Sequence, residues 1–314
     1  MSVLVTGGAG YLGGIVAETL ASESLEIIAL DRRKPALDKR LESVTYLLSD
    51  IRSPDLADVF REHAVETVVH LAAIVEPGKM TREEQYDIDV LGAKNVLDAC
   101  VETGIRKIII SSSGAAYGYH ADNPAWLTES DALRGNQTFP YAHHKRLVEE
   151  MLADYRREHP ALKQVIFRIG TILGATVNNQ ITALFDKPFV LGIKGSHSPF
   201  VFIWDSDVAG AVRHAVFSER TGAFNLAGDG AVSLPEIAEI LGKKLVSLPP
   251  ALVKTALAAF KKLHLTRYGP EQMDFIRFRP VLDNARLKKE FGYIPQKTSR
   301  EVFEFFLQAR QKID

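Results

Sequence analysis

Short apolar runs recur through the first half of the chain, at 3–5, 26–30, 44–48, 68–71, 107–111 and 164–169. Each has the length of one strand and is apolar almost throughout. Between them, segments 15–22, 55–63, 83–103 and 141–159 space their apolar residues at helical intervals. A strand without polar alternation must be covered on both faces, and the intervening helices supply that cover. The pattern predicts an α/β fold with a doubly wound parallel sheet. The texture changes after residue 169. Stretches containing glycine and asparagine occupy 170–180 and 192–200, and beyond Gly228 the chain reads as helices and short loops. Segments 200–203 and 223–226 are apolar again and are expected to return to the sheet. The division is therefore 1–169, with 200–226 returning to it, and a smaller, mostly helical region from 170–199 and 227–314 that receives the substrate. No internal repeat or low-complexity segment interrupts this order.

Composition changes the picture little. Hydrophobic residues make up 46% and charged residues 25%, close to a globular average. A net charge of −1 gives no drive toward nucleic acid. No apolar run approaches the roughly 20 residues of a membrane span, and residues 1–13 are needed for a strand and a turn rather than a leader. Cys100 is the single cysteine, so no internal disulfide can form, which points to a reducing, cytoplasmic setting.

The chemistry begins where the first strand ends. Gly7, Gly10 and Gly13 follow it at intervals of three residues and lead into a helix. A glycine turn between strand and helix bares backbone N–H groups and the positive end of the helix dipole to an anion, as in a dinucleotide pyrophosphate. Asp31 closes the second strand, where a carboxylate would accept from the hydroxyls of the adenosine ribose. That favours NAD. Arg32 and Arg33 would pair with the 2′-phosphate of NADP, but Asp31 holds the strand end itself and weighs more. Further on, Ser111, Ser112 and Ser113 end a buried strand, so they point to the same crevice beyond the sheet's carboxyl edge. Tyr141 and Lys145 stand four apart, on one helix face.

Gly7, Gly10 and Gly13, Asp31, Asp50 and Ile51, Leu71 to Ala73, Ser111 to Ser113, Tyr117 and Gly118, and Tyr141 with Lys145 together resemble the extended short-chain dehydrogenases/reductases, within them the NAD-dependent epimerase/dehydratase family. The likeness spans essentially the whole chain and is looser over 205–210 and 222–226. It implies a Rossmann-type fold with NAD bound by Gly7, Gly10, Tyr11, Leu12, Gly13, Asp31, Arg32, Asp50, Ile51, Leu71, Ala72, Ala73, Ser111, Tyr141 and Lys145. It implies Tyr141 as general acid/base, Lys145 and the positive nicotinamide ring together lowering the phenol's pKa from about 10, and Ser113 holding the reacting oxygen. Thr171, Asn179 and Phe200 fall in the segments that would meet a small-molecule substrate. A homodimer through helices 83–103 and 141–159 is expected from the same likeness.

The sequence also departs from the family. Gly114 and Ala115 follow Ser113 where sugar dehydratases carry an Asp-Glu pair, which disfavours dehydration. Thr171 and Phe200 stand where nucleotide-sugar epimerases have Asn and Arg; Asn178, Asn179, Lys194, His197 or Arg279 could replace those contacts. A relay Asn on the helix before Gly92 is replaced by Asp89 or Leu91. Three functions stay open: a sugar or nucleotide-sugar epimerase, an alcohol dehydrogenase or ketone reductase on an apolar non-nucleotide substrate, and a dinucleotide sensor without catalysis. The remaining features read plainly. His143 and His144 belong to a surface or interface, His70 to the strand end, and Trp126 to a loop that borders the site or the surface. The histidines have no zinc spacing, and the apolar helix at 251–265 packs over the substrate pocket.

Overall fold

The computed structural model describes residues 1–76, 78–196, 198–263, 269 and 273–311. Strands β1 (Ser2–Thr6), β2 (Glu26–Asp31), β3 (Val44–Leu48), β4 (Thr67–His70), β5 (Lys107–Ser113) and β6 (Lys163–Ile169) follow the six expected runs within a residue or two. With β10 (Gly222–Leu226) they form a seven-stranded sheet in the order β10-β6-β5-β4-β1-β2-β3. Every pairing is parallel. The order reverses beside β1, so β1, β4 and β5 direct their carboxyl ends to one crevice, where open parallel sheets take their ligands.

One face of the sheet is covered by α1 (Tyr11–Ala21) and α7 (Asp205–Phe217), whose Val16, Leu20, Val208 and Val212 pack on Val3, Val5 and Ile109. The other carries α2 (Leu56–Glu62), α4 (Gly92–Thr103) and α5 (Pro140–Glu158), with Phe60, Leu97, Cys100 and Leu152 against Leu4, Ile28 and Ile108. A short helix, α3 (Arg82–Tyr86), capped by the Thr81 hydroxyl and Glu84, runs into a π-turn at Asp87–Leu91 before α4. The helix expected over 83–103 is thus broken once, and π-turns of this kind mark functional positions.

The smaller region differs from expectation in three ways. Segment 200–203 does not rejoin the central sheet; β9 (Phe202–Trp204) pairs with β7 (Thr171–Leu173) in a separate ribbon, and only β10 returns. The region is not simply helical, because β8 (Phe189–Ile193) pairs with β11 (Lys244–Leu248) in a second ribbon. The helix anticipated at 251–265 is α9 (Pro250–Lys262); its Val253 packs with Ile193 and Met273, and none of its residues reaches the cavity described below. Leu265 lies outside the described residues. Around the ribbons, α6 (Thr182–Phe185), α8 (Leu234–Ile240) and α11 (Ser299–Gln311) enclose a core of Phe185, Phe200, Phe202, Phe303 and Phe306. A last short helix, α10 (Met273–Arg277), borders the crevice. The Ser299 hydroxyl joins the pieces. It donates to the Gly230 carbonyl at 2.9 Å, lies within 3.3 Å of the Phe202 and Gly228 carbonyls, and accepts from the Phe202 N–H. No helix among the described residues is long and apolar enough to cross a membrane.

Candidate active site

The turn between β1 and α1 is built so that only glycine fits. Gly7 has φ +72°, and a Cβ there would lie 2.9 Å from the Ala72 nitrogen. At Gly13 a Cβ would fall 2.0 Å from the Gly7 carbonyl oxygen. Gly10 donates to that carbonyl at 2.9 Å and caps α1 without a side chain. The first-turn N–H groups of Tyr11, Leu12 and Gly13 therefore face outward with no intrahelical acceptor, the arrangement that binds phosphate. Leu12 packs its side chain on the core and offers only backbone, while the Tyr11 hydroxyl donates to Asp205 at the start of α7. Thr6 braces the far wall. Its hydroxyl accepts the Ala72 N–H at 3.3 Å and lies 2.8 Å from His70 Nδ1. Leu71, Ala72 and Ala73 run along this wall, half-buried.

Asp31 ends β2 with its carboxylate accepting from the Ala9 and Arg33 N–H groups at 3.2 and 3.0 Å. Arg32 is not free: its Nε lies 3.7 Å from Asp50, which also takes Arg52 at 2.7 Å. The hydrogen bond from Arg52 holds the Asp50 carboxyl below its usual value. Ile51 is buried under Gly92, where a Cβ would come within 2.6 Å of its Cδ1. Asn95, which sequence reasoning missed, donates to the carbonyls of Ile51 and Ser53 at 2.7 and 2.8 Å and so fixes this loop.

β5 runs two residues further than expected, and strand alternation then separates the serines. Ser111 and Ser113 face the crevice side, but Ser112 is buried and donates to Glu149. That carboxylate pairs with Arg168 at 2.7 Å, both side chains being under 10% exposed. Burial works most strongly against the Arg168 charge, but the hydrogen bonds and charges of Glu149 and Tyr117 together outweigh it and raise the guanidinium's pKa. Arg168 continues to the Tyr117 hydroxyl at 2.8 Å, which donates to Asn225 at 2.8 Å. This network holds the ends of β5, β6 and β10 in register behind the crevice.

Tyr141 and Lys145 lie in the first turns of α5, which starts at Pro140. Lys145 Nζ donates to the Ser111 carbonyl at 2.7 Å and sits 5.8 Å from the centre of the Tyr141 ring. Burial pushes the Tyr141 phenol above its ordinary value; a hydrogen bond with Ser113 pulls it back, and the Asp89 charge pushes it up again. Burial also lowers the Lys145 ammonium, against the pull of Asp89 and Glu149. Burial is thus the largest influence on the Tyr141 phenol in the free protein. His144 is not a surface residue: it is buried, with Nδ1 2.9 Å from Asp89 on the π-turn. Asp89 also accepts the Ile74 N–H at 2.7 Å, tying the exit of β4 to α5. His143 stays half-exposed. The acid at 89 was visible in the sequence, but its partner was not, since His144 reads as polar on a helix whose packing only the fold reveals.

Ser113, Tyr141, Thr171, Asn179 and Phe200 all line one cavity of about 250 Å³ between the sheet edge and the smaller region. Tyr119, Phe139, Val201, Phe275 and Leu282 give it an apolar wall, and Arg279 enters from the segment after α10. Trp126, Asn178 and Lys194 stand outside it, and His197 lies outside the described residues. Among the described residues, no cluster of His, Cys, Asp or Glu is placed to hold a metal ion.

Residues 3–191 match the sequence model of the NAD dependent epimerase/dehydratase family. An uncharacterized protein of Mycobacterium tuberculosis is 27% identical over 314 residues, covering 98% of this chain and 84% of its own. The UDP-glucose 4-epimerase of Erwinia amylovora is 32% identical over 192 residues, which cover 58% of this chain and 56% of that protein. The matched segment thus spans about half the length of that relative. Among solved structures, UDP-glucose 4-epimerase of Thermotoga maritima with UDP-glucose superposes with a TM-score of 0.78 at 21% identity, covering 100% of this chain and 99% of the other. The Bordetella bronchiseptica enzyme WbmG in complex with NAD gives a TM-score of 0.78 at 18% identity, covering 99% and 94%. At such identities the superpositions establish the shared fold.

Proposed function

The chain belongs to the NAD dependent epimerase/dehydratase family, and from that premise we propose that it is an NAD-dependent oxidoreductase acting at a secondary alcohol or ketone carbon, most simply as a sugar or nucleotide-sugar epimerase. The observation that carries this is the convergence of the glycine cradle, Ser113 and Tyr141 on one carboxyl edge of the sheet. The cradle fits a dinucleotide, because Gly7 and Gly13 let the turn fold so tightly that a Cβ at either would strike backbone, and the first-turn N–H groups of α1 are left bare for a pyrophosphate. Asp31 would hold the adenosine ribose, with Ile51 and Asp50 beside the adenine and Leu71 to Ala73 along the pyrophosphate. Arg32 is already paired with Asp50, which supports NAD over NADP. When bound, the nicotinamide ring supplies a site that accepts and returns a hydride.

The side chains supply position and proton transfer. Ser113 holds the substrate oxygen beside Tyr141. The Tyr141 phenol, protonated in the free protein, donates to that oxygen as a carbonyl is reduced, and takes the proton back from the alcohol as it is oxidised. Lys145, anchored on the Ser111 carbonyl, keeps two N–H donors for the ribose next to the nicotinamide. An epimerase uses both directions at one carbon, so turnover consumes no free cofactor. The aromatic wall favours a second reading, a dehydrogenase or reductase for an apolar alcohol, in which NAD(H) is consumed. Arg279 in that wall argues against it.

We place the enzyme in the cytoplasm as a homodimer through α4 and α5, an arrangement that would cover the exposed Tyr86 and Leu91 on the adjoining helical run. The decisive experiment is Tyr141→Phe, assayed for interconversion of UDP-glucose and UDP-galactose and for alcohol oxidation. Loss of a proton donor predicts a drop of about 10²–10⁴-fold in kcat, with NAD affinity unchanged. Full activity in the variant would remove Tyr141 from the chemistry.

A further inference from the structure

The crevice chemistry makes no use of α9. Val253 and Leu257 seat this helix against Ile193 and Leu248 of the β8–β11 ribbon, with Met273 and Ile276 beside them. That packing takes up one flank. Along another, Leu252, Ala256, Phe260 and Leu263 recur at helical intervals. Leu252, Phe260 and Leu263 are 54%, 48% and 64% exposed. The ribbon extends this surface. Strand alternation puts Phe189 and Leu191 on the ribbon face that also carries Ile193, and both are more than a third exposed. Exposed apolar residues scattered singly are ordinary, but a set gathered on one helix flank and the ribbon beneath it marks a surface that meets a partner.

The charge around this surface has one sign. Residues 187–196 and 243–263 hold the ribbon and α9. They contain two and five lysines and no Asp, Glu or Arg, in a chain whose net charge is −1. Asp186, at the edge of the first stretch, is paired with Arg310. On the adjoining α10, Asp274 and Arg277 offset each other. On α9, Lys254, Lys261 and Lys262 stand off the apolar stripe, on the remaining circumference of the helix. A helix with that division lies in the plane of a bilayer surface. Its apolar side chains enter the acyl boundary, and its ammonium groups reach back on their long stems to anionic headgroups. The lysines are spread over the helix and both ends of the ribbon instead of converging on one pocket. That spread matches a continuous negative layer and not a discrete anion or a short acidic peptide.

We propose that α9 and the adjoining ribbon dock the protein on an anionic lipid surface, with Leu252, Phe260 and Leu263 inserted and the chain crossing nothing. The inference does not depend on which reaction the crevice carries out.

The test is flotation of the full chain with vesicles of equal parts phosphatidylcholine and phosphatidylglycerol, against vesicles of phosphatidylcholine alone. Binding to the anionic vesicles is expected to be at least about 10-fold tighter and to weaken with added salt. Lys254→Gln with Lys262→Gln should lower it by about 10-fold or more. Leu252→Ser with Phe260→Ser should lower it by about 100-fold. Both double variants should bind NAD as the wild type does and melt no lower, because each altered side chain already faces solvent. A stripe that packed within the protein would lower the melting temperature. Absence of flotation with anionic vesicles overturns the proposal, as does flotation undiminished in Leu252→Ser with Phe260→Ser. Equal, salt-insensitive flotation with both kinds of vesicle overturns the role of the lysines. A wild-type dimer in sedimentation velocity that this serine variant dissolves, with no flotation, overturns the lipid surface and gives the stripe to a second copy of the chain.

Discussion

His70 makes the wall beside the glycine turn sensitive to acid, by an amount that can be worked out. It closes β4 at 4% exposure, with Nδ1 2.8 Å from the Thr6 hydroxyl, and Thr6 in turn accepts the Ala72 N–H. In the neutral imidazole, Nδ1 accepts the Thr6 proton and the chain of bonds is complete. Burial first, and the Lys145 charge second, pull its pKa from 6.5 to about 3. The unfolded chain therefore binds a proton at higher pH than the folded one. The stability held by neutral His70 is present above pH 6.5 and drains away as pH falls toward 3, at about 1.4 kcal/mol per unit. Between pH 7 and pH 5 the loss comes to about 2 kcal/mol. That figure is unchanged if the folded value lies a unit higher, because the window ends above it. Urea unfolding at pH 7 and pH 5 measures it, with His70→Asn as the reference: the amide oxygen can accept from Thr6 but does not titrate. The gap between wild type and variant should shift by about 2 kcal/mol against the wild type across that window. Parallel pH profiles for the two proteins would refute the assignment.

Gly13→Ala is expected to abolish NAD binding in fluorescence titration and to lower the melting temperature, since its Cβ would sit 2.0 Å from the Gly7 oxygen. Glu149→Ala strands Arg168 without a counter-ion and should cost about 3–5 kcal/mol in urea unfolding, while Arg168→Met with Glu149→Leu should recover most of that loss. Unchanged stability in Glu149→Ala would show that water replaces the carboxylate and that the network does not brace the strand ends.

The central sheet was legible because its signals are local. Six apolar runs, the glycine spacing and the position of Asp31 each follow from a few adjacent residues. Tyr141 and Lys145 were legible for the same reason. The serines were legible only in part. The strand's period would have turned Ser112 away from Ser113, had the strand been carried to residue 113. What stayed hidden depends on partners far along the chain. Phe189–Ile193 and Lys244–Leu248 are short edge strands that gain order from each other, and nothing within either segment announces its mate. His144 and Asp89 are 55 residues apart and meet only through the π-turn. Arg279 was among the substrate contacts that the sequence offered, but that its guanidinium rests over Phe200, 79 residues earlier, was not visible there.

The way Ser299 fastens the last helix to Phe202, Gly228 and Gly230 has a practical consequence for redesign. The chain leaves the central sheet after β6, comes back for α7 and β10, and departs again, so the smaller region is not a cassette that can be cut out and grafted elsewhere. A polypeptide truncated at residue 169 would lack the β10 edge and the α7 cover, and would expose the apolar flank they shield. New substrates will have to be sought one side chain at a time around the cavity, leaving the chain's path intact.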